Sequence, residues 1–226
     1  MNNLFNLNLK YFTLERVNIF YYSFQNREIL KRHCKEYFIS CLSAQDLDKA
    51  YTYKLPVLIQ RTIASKALTR LILSNYLNNK RPVDITIQVG QYGKPFIPNS
   101  TIYFSISHCE TAFLMGVSKD DELGVDIENL KGYSYHHLVD MVLSVEEKKY
   151  YQSMPIELQE QTFLSFWTKK EALLKANGTG IKDNLNQLDT IKLFNKQYRP
   201  QYWCREIVID KDHQAHVVGK YINRGD

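Results

Sequence analysis

From Leu123 to Glu128 the apolar residues Leu123, Val125 and Ile127 alternate with Gly124, Asp126 and Glu128. This period of two predicts a strand with one buried face, and it sets Asp126 and Glu128 side by side on the other face. The same alternation runs through Thr101 to Ser107, where Ile102, Phe104 and Ile106 interleave with Tyr103, Ser105 and Ser107. With the apolar run Ala112 to Val117, these three segments read as a meander. Asp84 to Val89 reads as another strand, with late strands near Thr190 to Phe194 and Trp203 to Val208, and an apolar-rich opening at Val17 to Phe24. Helical spacing is clearest from Val57 to Leu77, where Leu68, Leu71, Ile72 and Leu77 form a stripe, and recurs from Leu143 through Tyr151. It appears again around Trp167. There Phe163, Phe166, Trp167, Lys170 and Leu174 mark one face, while Thr168, Glu171 and Lys175 share a neighbouring, more polar face. Asn177-Gly178-Thr179-Gly180 then ends that helix. The pattern is that of an α+β protein in two halves of similar size, residues 1–115 and 116–226, without low-complexity stretches, short repeats or a long linker.

Composition narrows the class. With 226 residues, 44% hydrophobic and 13% aromatic, the chain can bury one large core or two modest ones. A net charge of +5 gives a mild preference for acidic partners and lacks the basic tract of a dedicated nucleic-acid binder. Cys34, Cys41, Cys109 and Cys204 form no Cys-x-x-Cys pair, so neither a zinc site nor a redox motif is indicated, and His213-x-x-His216 is too little for a ligand pair. Met1 to Lys10 lacks a basic start and a sustained apolar run, and no segment is long enough to span a bilayer. The expectation is a cytoplasmic protein with reduced cysteines and no membrane association.

Two segments carry candidate chemistry. The first is Gly124-Val125-Asp126-Ile127-Glu128; the second is Phe166-Trp167-Thr168-Lys169-Lys170-Glu171-Ala172-Leu173-Leu174-Lys175. Alone, Asp-x-Glu is a solvated strand face and Glu171 with Lys175 a helix-surface ion pair. Together, three carboxylates and a lysine can hold a hard cation against a phosphate.

Both segments resemble the signature of the 4'-phosphopantetheinyl transferases, Gly-x-Asp-x-Glu followed by Trp-Ser/Thr-x-Lys-Glu-Ala/Ser-x-x-Lys. Upstream, Tyr92-Gly93-Lys94-Pro95 and Phe104-Ser105-Ile106-Ser107-His108 are similar to further segments of the longer, Sfp-type branch. The resemblance covers roughly residues 50 to 182. It implies two pseudo-duplicated α+β halves with coenzyme A in the cleft between them, and transfer of its 4'-phosphopantetheine arm to a serine of an apo acyl or peptidyl carrier protein. Adenosine 3',5'-bisphosphate is then the other product. The implied cofactor is Mg²⁺, held by Asp126, Glu128 and Glu171, with Lys175 on the phosphate and the leaving group. Arg61, Lys94, Ser107 and His108 are the implied contacts to the nucleotide end, with Lys49 in a more loosely matched segment. Leu143-Ser144-Val145-Glu146-Glu147 is similar to the family's Phe/Leu-Ser-x-x-Glu segment and implies Glu147 as the base, with Glu146 or a metal-bound hydroxide as alternatives. Ser144 three residues before Glu147 also reads as a helix capping box. Ile63-Ala64 stands where the family commonly carries Leu-Gly. The enzyme so implied is a monomer that meets an acidic carrier transiently. Two other readings stay open: a metal-dependent enzyme of nucleotides or phosphodiesters, and a non-catalytic coenzyme A-binding module.

Overall fold

The computed structural model describes residues 8–25, 32–130, 134–180, 184–195 and 201–221. Most of the opening segment read for a leader, Met1 to Leu7, lies outside them.

Two sheets and two groups of helices stack in four layers. The first sheet has the order β1-β2-β6-β5, formed by Lys10–Leu14 (β1), Val17–Ser23 (β2), Tyr103–His108 (β5) and Ala112–Ser118 (β6), all antiparallel. Its strands are apolar on both faces. Phe20, Tyr22, Phe104, Phe113 and Met115 pack beneath the helices α1 (Arg32–Ser40), α2 (Ala44–Tyr51) and α3 (Pro56–Tyr76), whose stripe of Ala64, Ala67, Leu68, Leu71 and Ile72 closes that layer. Ile63 and Ala64, at the departure from the family pattern, are buried in this core. On the other face Val17, Ile19, Tyr21, Ala112 and Leu114 meet Leu123, Val125 and Ile127 of β7 (Leu123–Asn129).

The predicted meander stops after two strands. β5 and β6 pair as expected, but β7 leaves for a second sheet, β7-β9-β8, with β8 (Tyr202–Glu206) and β9 (His213–Lys220). The turn from β6 to β7 reverses the chain between layers, so the apolar face of β7 covers the first sheet and does not extend it. β5 and β7 nevertheless touch, through hydroxyls: Val125 N donates to Ser105 Oγ (3.1 Å) and Ile127 N to Ser107 Oγ (3.4 Å).

Against the outer face of the second sheet lies α6 (Ile156–Asn177), which carries the Trp167 segment. The more polar face is largely buried, with Thr168 fully buried, Glu171 7% exposed and the Lys175 side chain 31% exposed, and Lys170 on the neighbouring face is fully buried too. Gly178, in the left-handed region at φ 62°, ends the helix as the sequence indicates.

Three local expectations change. Asp84 to Val89 is mostly not strand: a 3₁₀ turn takes Pro82–Asp84, and only Gln88–Val89 (β3) pairs with Pro95–Phe96 (β4) in a short hairpin. Thr190–Leu193 is a helical turn (α7), because Asp189 caps it by accepting from Lys192 N. The line drawn between residues 115 and 116 falls inside β6; the hand-over between sheets is the stretch 119–122. The remaining helices are α4 (Val139–Val142) and α5 (Val145–Ser153). Among the described residues no helix is long and apolar enough to cross a membrane.

Candidate active site

The geometry begins with a missing side chain. A Cβ at Gly124 would lie 1.9 Å from Ala172 O and 2.4 Å from Ala176 N, so β7 runs directly against the backbone of α6 at this point. No rotamer relieves a clash with backbone, and Gly124→Ala is expected to lower stability by about 1–3 kcal/mol as strand and helix move apart. Thermal denaturation checks this; an unchanged midpoint would mean the contact is not tight.

That close approach sets Asp126, two residues along the same face, beside Lys175 and Glu171. Lys175 Nζ is 2.6 Å from Asp126 Oδ1 and donates also to Ser107 Oγ (3.0 Å), while Ser107 Oγ donates to Asp126 Oδ1 (2.8 Å). Lys175 is therefore not the surface partner of Glu171. Asp126 Oδ2 and Glu171 Oε1 are buried with no hydrogen-bond partner. Burial, and then the charge of Asp126, push the carboxyls of Glu128 and Glu171 up to about 7 each. Glu128 also feels Glu171, and a hydrogen bond with the Trp167 side chain opposes part of its shift.

Three neighbouring carboxyl groups, two of them with orphaned buried oxygens, suit a hard divalent cation. Among the described residues no three His, Cys, Asp or Glu side chains are already arranged as a ligand set, and Lys175 and Ser107 both bond one oxygen of Asp126. Buried, unpaired acceptors at such a position are costly unless a cation satisfies them. Asp126, Glu171 and Glu128 fit that role.

Of the nucleotide-end residues, Ser107 is in this cluster and His108 follows it at the end of β5. The imidazole of His108 stands at the surface. Desolvation by the protein mass behind it, and then the charge of Lys175, hold its pKa below the ordinary value; Asp126 raises it and Arg61 lowers it further. Among the described residues Arg61, on α3, makes a 3.4 Å contact to the exposed Glu110. Lys94 is held by backbone carbonyls at the edge of the cluster. Its Nζ donates to Ala176 O (2.7 Å) and Leu123 O (3.3 Å), and burial lowers its pKa. Lys49 is exposed in the last turn of α2, with no described contact linking it to the cluster.

Glu147, the implied base, sits in a buried network. It is fully buried, and four donors fill both of its oxygens: Ser144 N (2.8 Å) and Lys170 Nζ (2.6 Å) on Oε2, Thr190 N (2.8 Å) and Thr190 Oγ1 (2.7 Å) on Oε1. The capping box predicted at Ser144 is present. Glu146 points outward and pairs with Lys149 at 3.2 Å. A carboxylate with no free lone pair and no path to solvent cannot take a proton from another protein.

Sequence reasoning missed the lysine that Glu147 binds. Lys170 reaches Val142 O (2.5 Å) and Leu185 O (2.9 Å) as well, and its spacing from Glu147 carries no periodic signal. Ser105 was readable only as an outward position of its strand. A cavity of about 350 Å³ opens beside the cluster, between the β3–β4 hairpin and α6, lined among others by Tyr92, Lys94, Ser105, Glu171 and Lys175.

Residues 122–222 match the 4'-phosphopantetheinyl transferase superfamily. The chain is similar to the 4'-phosphopantetheinyl transferase HetI of Nostoc sp., 30% identical over 62% of this chain and 61% of that protein. It is also similar to the 4'-phosphopantetheinyl transferase ffp of Bacillus subtilis, 30% identical over 63% of each. With the 4'-phosphopantetheinyl transferase AcpT of Salmonella typhi it shares 30% identity over 62% of this chain and 71% of the relative. The matched stretch thus spans less than two thirds of the first two. By these matches, and by the motif segments that meet in the cluster, this chain belongs to the 4'-phosphopantetheinyl transferase superfamily.

Proposed function

We propose that the protein transfers the 4'-phosphopantetheine arm of coenzyme A to a serine of an apo carrier protein. The reading rests on one observation: Asp126 and Glu171, from two separate motif segments, lie together with partnerless buried oxygens beside Lys175 and Ser107. In this reading the serine oxygen attacks the pantetheine-side phosphorus of the pyrophosphate, its proton passes to water, and the P–O bond to adenosine 3',5'-bisphosphate breaks, the leaving oxygen keeping the electron pair. Asp126, Glu171 and Glu128 would hold a Mg²⁺ ion, whose charge would offset that of the pyrophosphate. Lys175, a turn from Glu171, stabilises the negative charge that grows on the leaving group. Ser107 orients Asp126 and Lys175 through its two hydrogen bonds. The halves on either side of the 119–122 stretch are read as a pseudo-duplicated pair, with coenzyme A in the cleft between them. We place the protein in the cytoplasm as a monomer, where its net charge of +5 favours brief encounters with an acidic carrier.

Incubation with coenzyme A, Mg²⁺ and a panel of apo carriers, followed by mass spectrometry, tests this. The expected result is one phosphopantetheine added per carrier, abolished by a chelator and by alanine at the carrier serine. Turnover of coenzyme A without any acceptor would identify a nucleotide or phosphodiester enzyme. Binding of coenzyme A that is indifferent to Asp126 and Glu171 would identify a non-catalytic module.

Arg61 is the basic residue best placed for the 3'-phosphate, since its guanidinium is only loosely engaged and can fork onto an anion. Arg61→Ala is expected to lower kcat/KM for coenzyme A about tenfold more than for 3'-dephospho-coenzyme A, because a charge-assisted contact contributes roughly 1.5–3 kcal/mol only where its partner is present. Equal losses on the two substrates would remove Arg61 from that contact.

A further inference from the structure

We infer that Lys94 is a positioning residue, a clasp that ties the β3–β4 hairpin to the start of β7 and the end of α6. The two elements it joins carry all three cluster carboxylates and Lys175. Its ammonium donates to Leu123 O, one residue before Gly124, and to Ala176 O, one residue after Lys175. Ala176 O belongs to the last turn of α6, where carbonyls lack intrahelical partners and a cation is favoured by the helix dipole. The aliphatic stem is fitted too. A Cβ on Gly178 would stand 3.3 Å from Lys94 Cδ, and one on Gly180 3.3 Å from Tyr92 Cβ, so the hairpin rests on the glycine-containing end of the helix. The turn that presents Lys94 is itself closed, by Gly90 N to Lys94 O (2.9 Å) and Gly93 N to Gly90 O (3.0 Å). Desolvation lowers the pKa of this amine, as burial against carbonyls requires. Two of the three donors of this ammonium are thus held by backbone, which fixes the side chain across the hairpin.

The kinetic part of this inference rests on the transferase reading, and a cycle of Lys94→Met, Lys175→Met and the double variant separates the two. With coenzyme A and an apo carrier, Lys94→Met is expected to lower kcat about tenfold with little change in KM, equally for coenzyme A and 3'-dephospho-coenzyme A. In the Lys175→Met background most of that loss should vanish, because the clasp acts through Lys175. A loss confined to coenzyme A, or one that adds in full to that of Lys175→Met, would overturn the clasp in favour of a phosphate contact. Should the wild-type protein modify no carrier, the transferase reading fails and the clasp is judged by amide exchange alone. Lys94→Met should then speed exchange in the last turn of α6 where Lys119→Met, at an exposed site, does not; equal protection in both would overturn it. Lys94→Gln, which keeps one donor, serves if the methionine variant does not fold.

Discussion

Glu171→Gln is expected to abolish transfer, a fall of about 1,000-fold or more, while raising the thermal midpoint of the metal-free protein at pH 8. The two effects share a cause. Glu171 is 7% exposed, with a carboxyl pushed up from 4.5 to about 7 by burial and by the charge of Asp126. A carboxyl whose folded pKa lies above its unfolded value binds its proton more tightly in the fold. Stability therefore falls as pH rises from about 4.5 to about 7 and stays reduced above that, by on the order of 3 kcal/mol for a shift of this size. Glutamine keeps the shape and removes the ionised state. The pH-dependent drop should flatten in the variant, and Mg²⁺ should raise the midpoint of the wild type but not of Glu171→Gln. Near wild-type turnover in saturating Mg²⁺ would remove Glu171 from the metal site. A midpoint at pH 8 that does not rise would mean the ionised carboxylate is satisfied within the protein.

Lys170→Met is expected to be the most destabilising single change, on the order of 3–5 kcal/mol, because it leaves the carboxylate of Glu147 buried without a cation. In a chain of this size that corresponds to a midpoint lower by roughly 6–20 °C. The pair joins α4, α5, α6 and α7 through Val142 O, Ser144 N, Leu185 O and Thr190, so no neighbour can relax without losing another bond. Glu147→Gln should also lower the midpoint, with the transfer rate per folded molecule and its pH profile unchanged. A large fall in single-turnover rate at an unchanged midpoint would restore Glu147 as a base.

The contrast between these two glutamates shows what was legible in the chain. Asp126, Glu128 and Glu171 could be placed on faces by period alone, since strand and helix periodicities survive into the fold. Which of those faces met water could not. α6 reads as amphipathic, yet a sheet covers its polar side, and only the tertiary layer order distinguishes a solvated ion pair from a buried cluster. β7 illustrates the same limit: its alternation is plain, but the reversal between layers sits in residues 119–122, where no turn signal marks a change of sheet. Thr190 to Phe194 misled because a β-branched pair outweighed the capping aspartate before it. The backbone contacts of Lys94 were hidden in another way. A basic residue beside a glycine turn suggests an anion site, and nothing in the local sequence reveals carbonyls supplied by residues 29 and 82 positions away.

Ser105 and Ser107 carry a consequence for how the protein behaves in a crowded cell. β5 and β7 are each the outermost strand of their sheet, and an outermost strand with unpaired N–H groups is a template on which another chain can add. Here the amides of Val125 and Ile127 that face away from β9 donate to hydroxyls of the other sheet, so β5 covers the rim of β7. The shield needs no backbone register between the sheets, which leaves them free to keep their separate twists. Replacing both serines by alanine would uncover a strand as apolar as Leu123, Val125 and Ile127 beside a second apolar sheet, the composition from which intermolecular β-assembly starts.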